Sequence, residues 1–162
     1  MTAVRKFVGE SIERLEDQRL LTGRARFADH YPVPVGTQHA AILRSPHASA
    51  LIKSIDTSQA EECPGVAAVI TGKQIQEISD PYLLIVKEPL HEWALAVDRV
   101  RFVGEAVAVV IARDRYHAED ALEHVKIEYE ILAPALDPEE ASHEASPSVH
   151  PDAGTNLISD RE

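Results

Sequence analysis

The most regular hydrophobic pattern in the chain lies between residues 106 and 131. The stretch Ala106–Ala112 is apolar throughout, which is typical of a strand covered on both faces. Val125–Ile131 alternates apolar and charged residues, as a half-buried strand does. Between them, Asp114 can cap a helix that ends near His124 and carries one apolar stripe. The pattern predicts two parallel neighbouring strands in one sheet, bridged by this helix in a right-handed βαβ unit.

A weaker version of the same order of elements precedes this unit. Short apolar runs predict strands, and hydroxyl or carboxylate side chains at their ends can cap short helices. The predicted elements are strands at Gln38–Leu43, Ala50–Ile55 and Val66–Ile70, a helix of about two turns that starts after Asp56–Ser58 and ends near Pro64, and a helix at Lys73–Ile78 capped by Thr71. The two units do not align in sequence, so their shared order does not indicate a duplication.

The segments outside these units are less regular. The first 35 residues are polar and broken by glycine and proline, and they predict an extended lead with one helical turn near Glu16–Leu20. Residues 79–98 predict a loop with one short strand around Leu83–Val86. The pattern therefore predicts an α+β protein with a mixed sheet, βαβ units and short helices. Its parts are a lead (1–35), a core (36–135) and an acidic linker or strap (136–162).

Charge and cysteine content narrow the classes of function. Sixteen Lys and Arg against 27 Asp and Glu give a formal net charge of −11, which argues against nucleic acid and anionic membranes as partners. The sequence also offers no apolar run near the roughly 20 residues of a membrane-spanning helix, and no secretory signal. Cys63 is the only cysteine, so neither an internal disulfide nor a cysteine-ligated iron–sulfur cluster can form. Together these features predict a cytoplasmic protein.

The sequence contains only weak candidates for catalytic, phosphate-binding or metal-binding sites. No glycine-rich phosphate loop is present, and Gly104 fits a bulge or tight bend. His117 and His124 would lie about two helical turns, roughly 10 Å, apart, too far to share one tetrahedral metal ion. Ser45 and His47 flank Pro46 without a third orienting group, so they predict a turn and not a nucleophile–base pair. We therefore assign no catalytic, cofactor-binding or metal-binding residue from the sequence.

Five stretches in order resemble one enzyme family. They are RLLTGRARFAD (19–29), LRSPHASALIKSIDTSQA (43–60), PGVAAVITG (64–72), DRVRFVGEAVAVVIA (98–112) and AEDALEHVKIEYEILAPALDPEEA (118–141). Together they are similar to the N-terminal α/β-hammerhead domain of the large, molybdenum-binding subunit of the xanthine dehydrogenase, aldehyde oxidase and aerobic carbon monoxide dehydrogenase family. Ala106 stands where members commonly have proline, and Ser49 replaces a histidine, so neither position supports a substrate contact.

The resemblance implies a structural and assembly domain that is not catalytic alone. In such relatives the pterin-binding loops and the active-site glutamate lie in later domains, and this sequence contains neither, as expected of a fragment or a split subunit. The implied molybdopterin cofactor belongs to the complete subunit, and 2Fe-2S and FAD belong to partner domains or subunits. The substrate of the complete enzyme is not indicated.

A domain of this kind would leave one interdomain face open, which could also support a homodimer. The expected contributors are Leu83–Val86, Leu90, Trp93 and the loop Arg44–His47, which have no place in the predicted βαβ units. Two alternatives are a free-standing ligand-binding or regulatory module with the same fold, and a small independent enzyme that uses histidine and carboxylates.

Overall fold

The computed structural model describes residues 7–82 and 90–157. The chain divides into two compact units, Met1–Val35 and Gly36–Glu162. In the first unit, helix α1 (Asp17–Leu21) confirms the predicted helical turn, and a 3-10 turn follows at Ala28–His30. No described residue of this unit is buried. The described residues of this unit therefore form local helical structure but no buried core.

The second unit carries the sheets. Its described strands are β1 (His39–Arg44), β2 (Ala50–Asp56), β3 (Val66–Thr71), β4 (Arg99–Val100), β5 (Ala106–Ala112) and β6 (Lys126–Ile131). Its described helices are α2 (Ser58–Glu61), α3 (Gly72–Ile78), α4 (Arg115–Leu122) and α5 (Pro138–Ala141), followed by a 3-10 turn at Pro151–Ala153. This mixture of strands and short helices agrees with the predicted α+β class. The elements β4, α5 and the last turn were not predicted, and the strand expected at Leu83–Val86 lies outside the described residues.

The strands form two three-stranded sheets, in the orders β1-β5-β3 and β4-β2-β6. Every pairing in these two sheets is antiparallel. The prediction that β5 and β6 are parallel neighbours in one mixed sheet is therefore wrong, and no βαβ unit forms there. Helix α4 instead packs on β1 and β5 of the first sheet, while β6 pairs with β2 in the second.

Burial on both faces explains why β5 is apolar throughout. Ala108 and Val110 pack in one cluster with Ala60 of α2 and Ala121 of α4. Val107, whose side chain points to the opposite face of the strand, packs with residues of the second sheet in another cluster. A strand enclosed in this way reads as an uninterrupted apolar run whether its neighbours are parallel or antiparallel. The hydrophobic pattern therefore predicted that β5 is buried on both faces, but it did not indicate which strands pair with β5.

Local capping chemistry sets the start of α3 and α4. The Asp114 side chain accepts a hydrogen bond from His117 N at 3.0 Å, as predicted for the N-cap of α4. At α3, Thr71 N donates to Gln74 Oε1 at 2.8 Å, which satisfies a backbone group ahead of the first turn. Both helices therefore begin where their side chains can supply hydrogen bonds.

Candidate functional site

Two loops meet at the carboxyl end of β1 and the amino end of β5. Ser45 N donates to Glu105 O, and Gly104 N donates to Ser45 O, each at 2.8 Å. The Arg44 guanidinium donates to Gly104 O, also at 2.8 Å. Gly104 has a φ of +92°, which a glycine adopts without steric cost. We call the loops 44–49 and 101–105 together the polar joint.

Ser45 is 2% exposed and is held within its own turn. Its hydroxyl accepts from His47 N at 3.0 Å and donates to His47 O at 3.1 Å. The imidazole of His47 instead packs edge-on against the Tyr129 ring, with centroids 4.9 Å apart. Ser45 and His47 are thus linked through the backbone, as the predicted turn requires. Of the loop Arg44–His47, which was expected on an open face, Arg44 and Pro46 are exposed, His47 is half-buried and Ser45 is buried.

Glu105 and Arg101 form the charged part of the polar joint. The Glu105 carboxylate accepts a hydrogen bond from Arg101 N and lies 3.9 Å from the Arg101 guanidinium. Burial raises the pKa of Glu105, and the hydrogen bond and positive charge from Arg101 lower it by less. Burial likewise raises the pKa of the Tyr129 hydroxyl, with a further contribution from Glu105. The sequence analysis missed this pair, although charges four residues apart around Gly104 were a signal for it.

An open cleft of about 680 Å³ borders the polar joint. Its walls include charged side chains of both signs and several aromatic rings. Among them are Arg44, Arg101, Glu92, Glu105, Asp152, Tyr82, Trp93 and Phe102. Phe102 is 58% exposed at the rim, and Leu90 and Trp93, both expected on an open face, line the cleft and are half-buried. The cleft can accept a ligand or side chains from another protein.

The C-terminal segment forms one wall of this cleft. Arg99 donates from its guanidinium to Ser148 O at 3.0 Å. Asn156 closes the segment on itself: its amide donates to Ala141 O and Pro147 O, and its carbonyl accepts from Val149 N. Burial lowers the pKa of His150 at the cleft wall, and Arg101 lowers it further. These contacts give the acidic segment a defined path.

The remaining candidate groups are separate from the cleft. His117 hydrogen-bonds through Nδ1 to Asp114 at 2.8 Å, and its other ring nitrogen contacts Arg113. Cys63 is half-buried, with its thiol donating to Gln59 O at 3.3 Å. Within residues 7–82 and 90–157, no three His, Cys, Asp or Glu side chains are grouped so that they could hold a metal ion. Over the same ranges, no helix is long and apolar enough to cross a membrane.

The strands of the second unit form two antiparallel sheets with short flanking helices. Residues 22–133 match the family model described as "Aldehyde oxidase and xanthine dehydrogenase, a/b hammerhead domain". The chain therefore belongs to the aldehyde oxidase and xanthine dehydrogenase family and represents its hammerhead domain.

Named relatives agree with this assignment. The chain is 45% identical to the 6-hydroxypseudooxynicotine dehydrogenase complex subunit gamma of Paenarthrobacter nicotinovorans, over 83% of this chain and 18% of that protein. It is 37% identical to the carbon monoxide dehydrogenase large chain of Afipia carboxidovorans, over 86% of this chain and 17% of that protein. One relative is named as a subunit of a complex and the other as a large chain, and this chain spans less than a fifth of the length of each.

Solved structures of the family share the fold. Quinoline 2-oxidoreductase from Pseudomonas putida 86 superimposes with a TM-score of 0.70 at 42% identity, over 85% of this chain and 18% of that one. The aldehyde oxidoreductase of Desulfovibrio desulfuricans gives a TM-score of 0.72 at 32% identity, over 93% of this chain and 17% of that one.

Proposed function

We propose that this chain is a structural and assembly domain of a molybdenum hydroxylase large subunit, an oxidoreductase of the xanthine and carbon monoxide dehydrogenase type. The observation that carries the proposal is the family match over residues 22–133, combined with the small share, 17–18%, of the relatives that the chain spans. In this proposal the reaction takes place in the remaining part of the subunit, and the chain supplies no catalytic residue.

The donor groups of the chain do not fit the cofactors of the complete enzyme. The described residues offer no cluster of three metal-ligating side chains, and one cysteine cannot supply the thiolates of a 2Fe-2S cluster. Because the chain spans only 17–18% of its relatives, the proposal places the molybdopterin cofactor in the remaining part of the large subunit, and 2Fe-2S and FAD on partner domains or subunits. A cytoplasmic location, with no nucleic acid or membrane partner, is part of the same proposal.

The polar joint supports a scaffolding role. Its backbone hydrogen bonds and the Arg101–Glu105 pair fix the loop 101–105 while leaving Phe102 and Val103 58% and 65% exposed. Apolar side chains held at the tip of a rigid loop lose little conformational entropy when a partner covers them. The cleft and this tip together are therefore suited to contact another part of the subunit.

The test compares the 162-residue chain alone with the chain co-expressed with the remaining part of a large subunit of this family. We expect no stoichiometric molybdenum and no dye-linked oxidation from the chain alone, and co-elution of the two polypeptides on size exclusion. Stoichiometric molybdenum or turnover from the isolated chain contradicts the proposal.

The cleft of about 680 Å³, with the raised pKa of Glu105 at its wall, favours one alternative function. In that alternative the chain is a free-standing ligand-binding or regulatory module. Failure to co-elute with the rest of the subunit, together with saturable binding of a small molecule that Arg101→Ala abolishes, supports it over the scaffold.

A further inference from the structure

The N-terminal unit exposes many large apolar side chains. None of the described residues between 7 and 35 is buried, and ten of the large hydrophobic ones are at least 37% exposed. They are Phe7, Val8, Ile12, Leu15, Leu20, Leu21, Phe27, Tyr31, Val33 and Val35. Such a concentration of exposed apolar surface marks a contact face, since soluble proteins rarely expose large apolar areas without a partner.

An arginine-lined hollow lies within the same unit. Arg19, Arg24 and Arg26 line it together with Gln18, Thr22 and Tyr31, and its volume is about 490 Å³. The turn that follows α1 brings these side chains together: Arg24 N and Ala25 N both donate to Arg19 O, at 2.8 and 2.9 Å. We call this feature the arginine hollow.

The arginine hollow is positively charged within an acidic protein. Its described lining contains three arginines and no Asp or Glu, although Glu16, Asp17 and Asp29 flank the segment and the whole chain carries a net charge of −11. The unit's described ion pair joins Arg14 to Asp17 at 3.8 Å. Arg19, Arg24 and Arg26 form no ion pair with any residue in the described part of the chain. Guanidinium groups that form no ion pair within their own chain can bind carboxylates of another protein, often through two parallel hydrogen bonds.

We propose that the arginine hollow and the exposed apolar side chains of the same unit form a docking face for the part of the large subunit that this chain does not match, with Asp or Glu carboxylates of that partner entering the hollow. This inference rests on the proposed function. The exposed apolar residues of this unit favour a protein over a small anion, because arginine and aromatic side chains are enriched in protein interfaces. The relatives in question devote more than four-fifths of their length to that remaining part.

The test measures binding of the full 162-residue chain to the polypeptide that carries the rest of the large subunit. The variant is the double charge reversal Arg24→Glu/Arg26→Glu, and the matched control is Arg14→Glu, which changes an arginine of the same unit outside the hollow. We expect the double variant to bind at least about tenfold more weakly and the control to stay within about twofold. Raising the salt from about 50 to about 500 mM should weaken the wild type and have much less effect on the double variant.

A second variant tests the apolar part of the face. Leu21 is 88% exposed, so Leu21→Asp should leave the melting temperature unchanged and still weaken binding. If both variants bind the partner as tightly as the wild type does, the docking face is wrong and the proposed function still stands. Absence of any binding by the wild type contradicts the proposed function itself. If the double variant instead abolishes self-association of the chain and not binding to the partner, the occupant is a second copy, and the partner named here is wrong.

Discussion

Replacing Gly72 with alanine should destabilise the protein although the backbone at this position is ordinary. Gly72 is buried at the start of α3, and its φ is not positive. The Cβ of an alanine there would overlap Ala96 O and lie 2.8 Å from Val97 Cα. Both contacts are with backbone, so no side chain can rotate away. The 95–96 segment is also fixed, because Ala96 N donates to Ala106 O of β5 at 2.8 Å.

Two opposing effects set the magnitude. Alanine is favoured over glycine in a helix interior by about 1 kcal/mol, and less is expected at a helix start. Overpacking a rigid site costs about 1–3 kcal/mol, and a backbone obstacle puts Gly72→Ala at the upper end. We expect a net loss of about 2 kcal/mol. For a chain of this size that corresponds to a melting temperature lower by about 4–8 °C.

Thermal and urea unfolding, followed by far-UV circular dichroism, measure this loss. Gly104→Ala is the matched control: its φ of +92° strains any L-residue, but no atom lies within 4 Å of the added Cβ. We expect about 1 kcal/mol from that strain. Lys73→Ala, at the next and exposed position of the same helix, should change little. A Gly72→Ala protein as stable as the wild type would refute the reasoning about close approach.

Three further predictions concern burial, protonation and the C-terminal segment. Val110→Asp should cost several kcal/mol because the residue is fully buried, and Val109→Asp should cost less because Val109 is only half-buried; equal losses in urea unfolding would contradict this. The fold raises the pKa of Glu105 above 4.5, so the folded state binds a proton more tightly than the unfolded state. This group therefore makes the free energy of unfolding fall as the pH rises from about 4.5 through the raised pKa. Glu105→Gln should flatten that fall, and an unchanged dependence of the free energy of unfolding on pH would exclude Glu105 as its source. Asn156→Ala removes three hydrogen bonds and should speed hydrogen exchange at Val149 N by about tenfold, whereas an unchanged rate would show that the segment is held elsewhere.

The sequence predicted most elements of the second unit because they follow from local patterns. The apolar run at β5, the alternation at β6 and the Asp114 cap each depend on residues within one turn or strand. The pairing of β5 with β1 and β3 does not, since it joins residues up to about 70 positions apart. The rule that links a strand, a helix and a strand into a parallel pair applies only when both strands share a sheet, and here α4 connects two different sheets.

The candidate site also combines features that the sequence predicted with features that depend on the tertiary structure. Ser45-Pro46-His47 was predicted as a turn, and its hydroxyl bonds within that turn. The cleft was not predicted, because it is built from the 90–98 segment, the loop 101–105 and the C-terminal segment, which have no common pattern. The exposed N-terminal unit was described from sequence only as a polar lead. The arginine hollow was not predicted, because it forms only where the turn after α1 brings three arginines together.

The sequence by itself determined where most strands and helices form, that the protein is acidic, and which family it belongs to, because these properties reside in short segments and in their order. Only the tertiary structure decided which strands pair, which charges are buried and which glycine lies in close contact with a distant backbone segment. Gly72 illustrates the reason. Its backbone angle is permitted to any residue, and it requires glycine because Ala96, 24 positions away, lies where a side chain would have to be.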